Sequence, residues 1–148
     1  RRFMARHGAI VVKPIHGNGG KAIFRIGQNA ENLTALFEVF NQTWPEPHMV
    51  QPFLPEVAQG DKRIVLIDGE VAGAINRVPG EGEFRSNLAM GGSAQATALT
   101  EREAEICAVL GPDLKRLGLT FVGIDVIGGR WLTEINVTSP TGIVAIDR

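Results

Sequence analysis

The sequence predicts an α+β fold, on three observations. Segments 30–42 and 100–117 carry apolar residues at helical spacing, Asp68-Gly69 separates two β-branched runs as a two-residue hairpin turn, and a further strand pair is joined through Gly128 and Gly129. With 148 residues, 44% of them hydrophobic, the chain is long enough for one ordinary core.

In chain order, "AIVVKP" (9–14) and "KAIFRI" (21–26) read as short strands flanking the glycine-rich loop "IHGNGG". "AENLTALFEVFNQ" places Leu33, Leu36, Phe37 and Phe40 on one helical face, and "HMVQPFL" (48–54) follows as an extended stretch. "DKRIVLI" and "EVAGAINRV" form the hairpin about Asp68-Gly69. The stretch 79–97, rich in glycine and small residues, reads as a surface loop. Thr100 and Glu103 make a capping box for a helix that is expected to kink at Gly111-Pro112 and to stop at Gly118. "TFVGIDVI" and "RWLTEIN" close the order.

Composition narrows the function classes. The net charge of -1 has both signs interspersed, so neither a nucleic-acid track nor a polybasic membrane patch is expected. The longest apolar runs fall far short of the roughly 20 residues of a membrane span, and no leader pattern opens the chain; a cytoplasmic protein is expected. Cys107 is the single cysteine, which excludes a disulfide framework and reads as a buried thiol. The sequons at Asn32, Asn41 and Asn136 read as chance. An opening without methionine and a close without a capping signal read as a piece of something larger.

The last strand pair carries the most informative chemistry. If Gly128-Gly129 is a two-residue turn, Asp125 pairs with Leu132 and shares a face with Glu134 and Asn136; a three-residue turn puts Asp125 beside Thr133, with Glu134 on the far face. Buried carboxylates need partners. A hard divalent cation such as Mg²⁺ is one partner, and an arginine such as Arg63 or Arg130 is the other. "GNGGKA" (17–22) fits a loose dinucleotide fingerprint with a strand in the place of the helix, and it fails the P-loop pattern at Ile15 and Ala22. Successive glycine N–H groups still cradle phosphate. Lys13, within an apolar strand four residues upstream, either reaches an ATP phosphate or snorkels to solvent.

Four ordered blocks, "VVKPIHGNGGKAIFRI", "GDKRIVLIDGE", "NRVPGEGEFRSNLAMGG" and "FVGIDVIGGRWLTEINVTSPTGI", together resemble bacterial glutathione synthetase, an ATP-grasp carboxylate-amine ligase, over about Ala9 to Ile143. The resemblance implies antiparallel sheets with packed helices holding ATP between two lobes, residues 1–148 forming an incomplete ATP-grasp domain. It implies ATP-dependent joining of γ-glutamylcysteine to glycine through an acyl phosphate, giving glutathione, ADP and phosphate. By the same resemblance Lys13 meets the ATP phosphates under a lid of Gly17, Gly19 and Gly20. Met49, Gln51, Phe53 and Leu54 address the adenine, and Asp61 belongs to the nucleotide-binding set. Asp125, Glu134 and Asn136 hold Mg²⁺, with Mn²⁺ as the alternative metal. Arg63, Arg77, Arg85 and Asn87 bind substrate carboxylates and stabilise the reacting charge, while Ser139, Pro140 and Thr141 lie beside the glycine-end carboxylate. Residues 78–94 match a mobile loop that closes over the intermediate. A homo-oligomer is implied as well.

The sequence departs from the family pattern in places. The gap from Asp125 to Glu134 is one residue longer, with Gly129 or Trp131 the extra; His16, Asn18 and Ser86 also differ. The family's N-terminal domain, an earlier ATP-contacting lysine and a C-terminal helix have no counterpart in these residues, so weak activity or none is expected of the segment alone. The rival readings are another ATP-grasp carboxylate-amine ligase and a non-catalytic nucleotide-binding module.

Overall fold

The first strands are built from β-branched alternation. In β1 (Ile10–Pro14), Ile10 and Val12 are buried while Val11 and Lys13 point the other way. This computed structural model describes residues 1–16, 21–82, 85, 92–138 and 140–146. They divide into two units, 1–55 and 56–148.

In the first unit, α1 (Arg2–His7) precedes β1, and β2 (Phe24–Ile26) and β3 (His48–Pro52) flank it in a three-stranded antiparallel sheet of order β2-β1-β3. The predicted helix is α2 (Leu33–Thr43). It puts Leu33 and Phe40 against Met4, Ile10, Val12 and Ile26, with Phe24, Phe37 and Trp44 packed around Phe40. The strand expected from Lys21 is shorter, because residues 21 and 22 form a turn in which Ala22 has φ 56°.

After a 3₁₀ turn (Pro55–Gln59), the second unit builds β4 (Asp61–Ile67), β5 (Glu70–Val78), β6 (Ser93–Ala96), β7 (Phe121–Ile127) and β8 (Trp131–Asn136). They form one antiparallel sheet of order β6-β5-β4-β7-β8. The Asp68-Gly69 turn is as expected: both residues have positive φ, 50° and 83°, as a two-residue hairpin of matching twist requires. Strand β6 corrects the reading of 79–97 as loop throughout; its pairing with Ile75–Val78 supplies the order that its small residues do not.

Helix α3 (Glu101–Arg116) covers one face of this sheet, burying Ile106, Cys107 and Leu114 against Ile64, Leu66, Ala74, Val122, Ile124 and Val126. Burial raises the Cys107 thiol pKa, and the Glu103 carboxylate adds to the effect. Thr100 and Glu103 close the capping box in both directions. Glu103 is also fully buried, and its Oε2 accepts from Lys62 Nζ at 2.6 Å, tying the start of α3 to β4. The helix runs through Gly111 and Pro112 to Arg116, and Gly118, with φ 71°, follows it at the expected stop. Gly111 serves close packing, since a Cβ there would lie 2.3 Å from the Gly69 carbonyl oxygen of the hairpin turn. The opposite face carries α4 (Ile143–Ile146) at one end, where Ile146 packs on Gly73. The other end of that face bears the charged residues described below. Among the described residues, no helix is long and apolar enough to cross a membrane.

Gly111→Ala is therefore expected to destabilise the second unit by about 1–3 kcal/mol through overpacking against backbone, measured as a lowered denaturation midpoint of the full-length protein at unchanged slope. An unchanged midpoint would contradict this packing.

Candidate functional site

Two local irregularities bring the acidic residues of β7 and β8 together. The β7–β8 turn has three residues, Gly128, Gly129 and Arg130, so Ile127 pairs with Trp131. Strict alternation from that pair would set Asp125 opposite Thr133. The register instead shifts between Asp125 and Val126, and Asp125 faces Glu134. Thr133 is the extra residue of a β-bulge, its Oγ1 donating to the Asp125 carbonyl at 3.1 Å. Of the two turns open from sequence, the three-residue one forms, and the bulge cancels its consequence by returning Glu134 to the face of Asp125. Asn136 lies across from Gly123, its side-chain amide 3.5 Å from Asp125 Oδ2.

The neighbouring strands add two guanidiniums to the same face. Arg63 lies opposite Asp125 in the β4–β7 register and grips it with a fork, Nε to Oδ1 at 2.5 Å and Nη2 to Oδ2 at 3.0 Å. Arg77 reaches Asp125 Oδ1 at 3.0 Å and Asp61 Oδ2 at 2.7 Å. Arg63, Arg77 and Asp125 are 6%, 9% and 3% exposed, so these contacts are sheltered from water. Burial by itself would lower the Arg77 pKa; the Asp125 and Asp61 carboxylates, helped by Glu134, outweigh it and raise the pKa above its ordinary value. Asp125 therefore pairs with Arg63, one of the two arginines considered from sequence. The other, Arg130, pairs with Glu56 at 3.2 Å. The Asp61–Arg77 bond was not foreseen, because it depends on the β4–β5 register that sets the two residues opposite each other.

Asp125, Glu134 and Asn136 supply only oxygen ligands, the donor type of a hard divalent cation. Among the described residues, no three His, Cys, Asp or Glu side chains form a metal-holding cluster, so an amide oxygen would have to complete the set. Two guanidiniums, Arg63 and Arg77, face the three carboxylates of Asp61, Asp125 and Glu134, which leaves one negative charge in excess. The set fits such a cation in donor chemistry and in sign. Asp125 would take it up by exchange, because both of its oxygens already accept from guanidinium N–H groups.

Beside this cluster, Arg63 Nη1 donates to the Thr141 carbonyl at 2.9 Å, and Pro140 is buried. In the first unit, Lys13 pairs with Met49 and Val11 with Gln51. These residues therefore share the sheet face opposite Ile10 and Val12, the β1 residues that pack on α2. The Phe53 N–H donates to Ala9 O at 2.9 Å, and Arg25 lies 4.1 Å over the Phe53 ring. Leu54 and Arg85 are half-buried. Gly17, Gly19, Gly20, Asn87, Ser139 and, within 78–94, residues 83, 84 and 86–91 lie outside the described residues; Val78 ends β5, and Ser93 and Ala94 open β6.

The whole chain, residues 1–148, matches the family model of the prokaryotic glutathione synthetase ATP-grasp domain. The chain belongs to this family. It is 60% identical over 146 residues to the glutathione synthetase of Rhodopseudomonas palustris, and 54% identical over 148 residues to that of Synechocystis. The alignments cover 99% and 100% of this chain and 46% of each relative, so the chain spans about half the length of the curated relatives it matches. Among solved structures, D-cycloserine synthetase DcsG superposes with a TM-score of 0.71 over 95% of this chain and 52% of that one, at 22% identity. The D-alanine–D-alanine ligase of Bacillus anthracis complexed with ATP gives 0.65 over 94% and 46%, at 16% identity. These two likenesses speak for the fold, which is that of the ATP-grasp ligases.

Because Asp125 is the acceptor shared by two buried guanidiniums, Asp125→Leu is expected to cost about 3–5 kcal/mol, most of which is recovered in Asp125→Leu/Arg63→Met. A double-mutant cycle on the unfolding free energy of the full-length protein checks this; additive losses would contradict the pairing.

Proposed function

We propose that the full-length protein is an ATP-dependent ligase that joins γ-glutamylcysteine to glycine, giving glutathione, ADP and phosphate through an acyl phosphate. The observation that carries this reading is the Asp125–Glu134 register beside Arg63 and Arg77, in a chain 60% identical to a glutathione synthetase. ATP-grasp ligases in general use ATP with divalent metal ions.

In this reading Lys13 meets the ATP phosphates, with Gly17, Gly19 and Gly20 forming the lid over them. Met49, Gln51, Phe53 and Leu54 line the adenine, and Asp61 contributes to the nucleotide side while it orients Arg77. Support for the nucleotide set comes from the β1–β3 register, which gives Lys13, Met49 and Gln51 a common face. Asp125, Glu134 and Asn136 would hold Mg²⁺, or Mn²⁺ in its place. The metal, when bound, neutralises phosphate oxygens and so lowers the charge barrier to nucleophilic attack on phosphorus.

The arginines do the rest of the electrostatic work. Arg63, Arg77, Arg85 and Asn87 bind the substrate carboxylates and meet the negative charge of the acyl phosphate and of the tetrahedral species that follows. Ser139, Pro140 and Thr141 receive the carboxylate at the glycine end. Residues 78–94 close over the intermediate, because an acyl phosphate open to water is lost to hydrolysis. The family resemblance extends the proposal to a cytoplasmic homo-oligomer.

ADP release by the full-length protein is expected to need Mg-ATP, γ-glutamylcysteine and glycine together, and Glu134→Gln is expected to lower kcat by about 10³-fold or more, the equivalent of roughly 4 kcal/mol of charge stabilisation. Release that needs a different acceptor would replace the substrates and leave the ligase standing. Release with no acceptor tested would overturn the reading.

A further inference from the structure

Gly123 interrupts the run of large residues in β7, and the backbone does not call for glycine there: its φ is not in the left-handed region, unlike that of Gly128 or Gly129. Glycine inside a strand is a net loss, since it gives up side-chain packing and carries extra chain entropy in the unfolded state. What the position offers is space on the charged face, opposite Asn136 and two residues before Asp125.

That space is filled by two neighbours. A Cβ on Gly123 would come within 2.8 Å of Pro140 Cβ, 3.1 Å of Arg63 Cδ and 3.2 Å of Arg63 Nη1. On its other side the Arg63 stem meets Gly142, where a Cβ would lie 3.4 Å from Arg63 Cγ. The aliphatic part of Arg63 therefore lies in a slot between two glycines. From this slot its fork meets Asp125 and its remaining nitrogen, Nη1, meets the Thr141 carbonyl.

We propose that Gly123 is a positioning residue for the ligase reaction: the missing side chain seats the Arg63 guanidinium at the place where an anionic substrate group is received. The inference rests on the proposed function for the identity of the anion, and on the packing alone for the seating of Arg63. With a methyl group at 123, the Arg63 stem and the 140–142 segment have to move by several tenths of an ångström. A guanidinium fork tolerates such a move poorly, because both of its N–H vectors must stay aligned with one planar acceptor.

The test uses Gly123→Ala, Gly123→Ala/Pro140→Gly, Arg63→Lys and Gly123→Ala/Arg63→Lys in the full-length protein. The second variant removes the contact with Pro140, so that the Arg63 contact is read alone. In Gly123→Ala the KM for γ-glutamylcysteine is expected to rise by about tenfold or more, with the KM for ATP within about twofold of wild type. The rise is expected to persist in Gly123→Ala/Pro140→Gly, and adding Gly123→Ala to Arg63→Lys is expected to change KM by less than about twofold. A dipeptide KM within twofold of wild type in Gly123→Ala, a rise that vanishes with Pro140→Gly, or independent multiplication with Arg63→Lys would each overturn the proposal. The ¹⁵N–¹H resonance of Arg63 Nε, assigned by its loss in Arg63→Lys, gives a readout independent of turnover. It is expected to shift in both variants that carry Gly123→Ala with Arg63 intact. If the wild type ligates no γ-glutamyl substrate, the functional reading has failed, and this resonance alone decides: a shift supports the seating of Arg63, and an unmoved one overturns it.

Discussion

The polar face of the five-stranded sheet depends on where one carboxylate sits. Asp125 accepts from Arg63 through a fork and from Arg77 through a single contact, and it faces Glu134 across the β7–β8 ladder. Without that acceptor, the two nearly buried guanidiniums would keep, among the described residues, the Asp61 carboxylate, the Thr141 carbonyl and the more distant Glu134 as their negative partners. Two buried positive charges so placed would disfavour the folded state by several kcal/mol. The same carboxylate is the first member of the proposed metal set, so the electrostatics that let the face fold and those that let it work act on the same atoms.

This sharing has a consequence for the sequence of binding. Arg63 and Arg77 are directed at Asp125, with one carboxylate in excess around them, which suits the arrival of a cation. A divalent ion on Asp125 would turn that excess into a positive one, and the guanidiniums would then favour an anion such as a phosphate or a carboxylate. Buried ion pairs are poor sources of stability. Their presence on a face otherwise built from Val65, Gly73 and Ile75 is better explained by the chemistry they support than by the fold they join.

Much of the framework was legible from residue type. Asp68-Gly69 demands positive φ at both positions and marks its hairpin; Thr100 and Glu103 announce the start of α3; the spacing of Leu33, Leu36, Phe37 and Phe40 gives α2. The parts that were not legible share a cause: each is set by a partner distant in sequence. Strand β6 is a run of small residues ordered by the edge of β5. The glycine at 111, inside a helix, finds its reason only when Gly69 is placed against it. In the candidate site, the types Asp125, Glu134 and Asn136 were readable, and their common face was not. Alternation fixes only parity, and here an extra turn residue and a bulge at Thr133 each change parity once. The pairing of Arg77 with both Asp61 and Asp125 likewise needs two registers at once.

The Thr133 bulge gives Asp125, Glu134 and Asn136 one common face, and on that face the proposed divalent cation would be held. The most direct test is the anomalous scattering of Mn²⁺ in crystals of the full-length protein grown with a non-hydrolysable ATP analogue. A manganese peak is expected about 2.0–2.2 Å from oxygens of Asp125, Glu134 and Asn136, with the Arg63 fork drawn off at least one oxygen of Asp125. A peak bound elsewhere, or a density map in which Glu134 and Asp125 lie on opposite faces of the sheet, would contradict it.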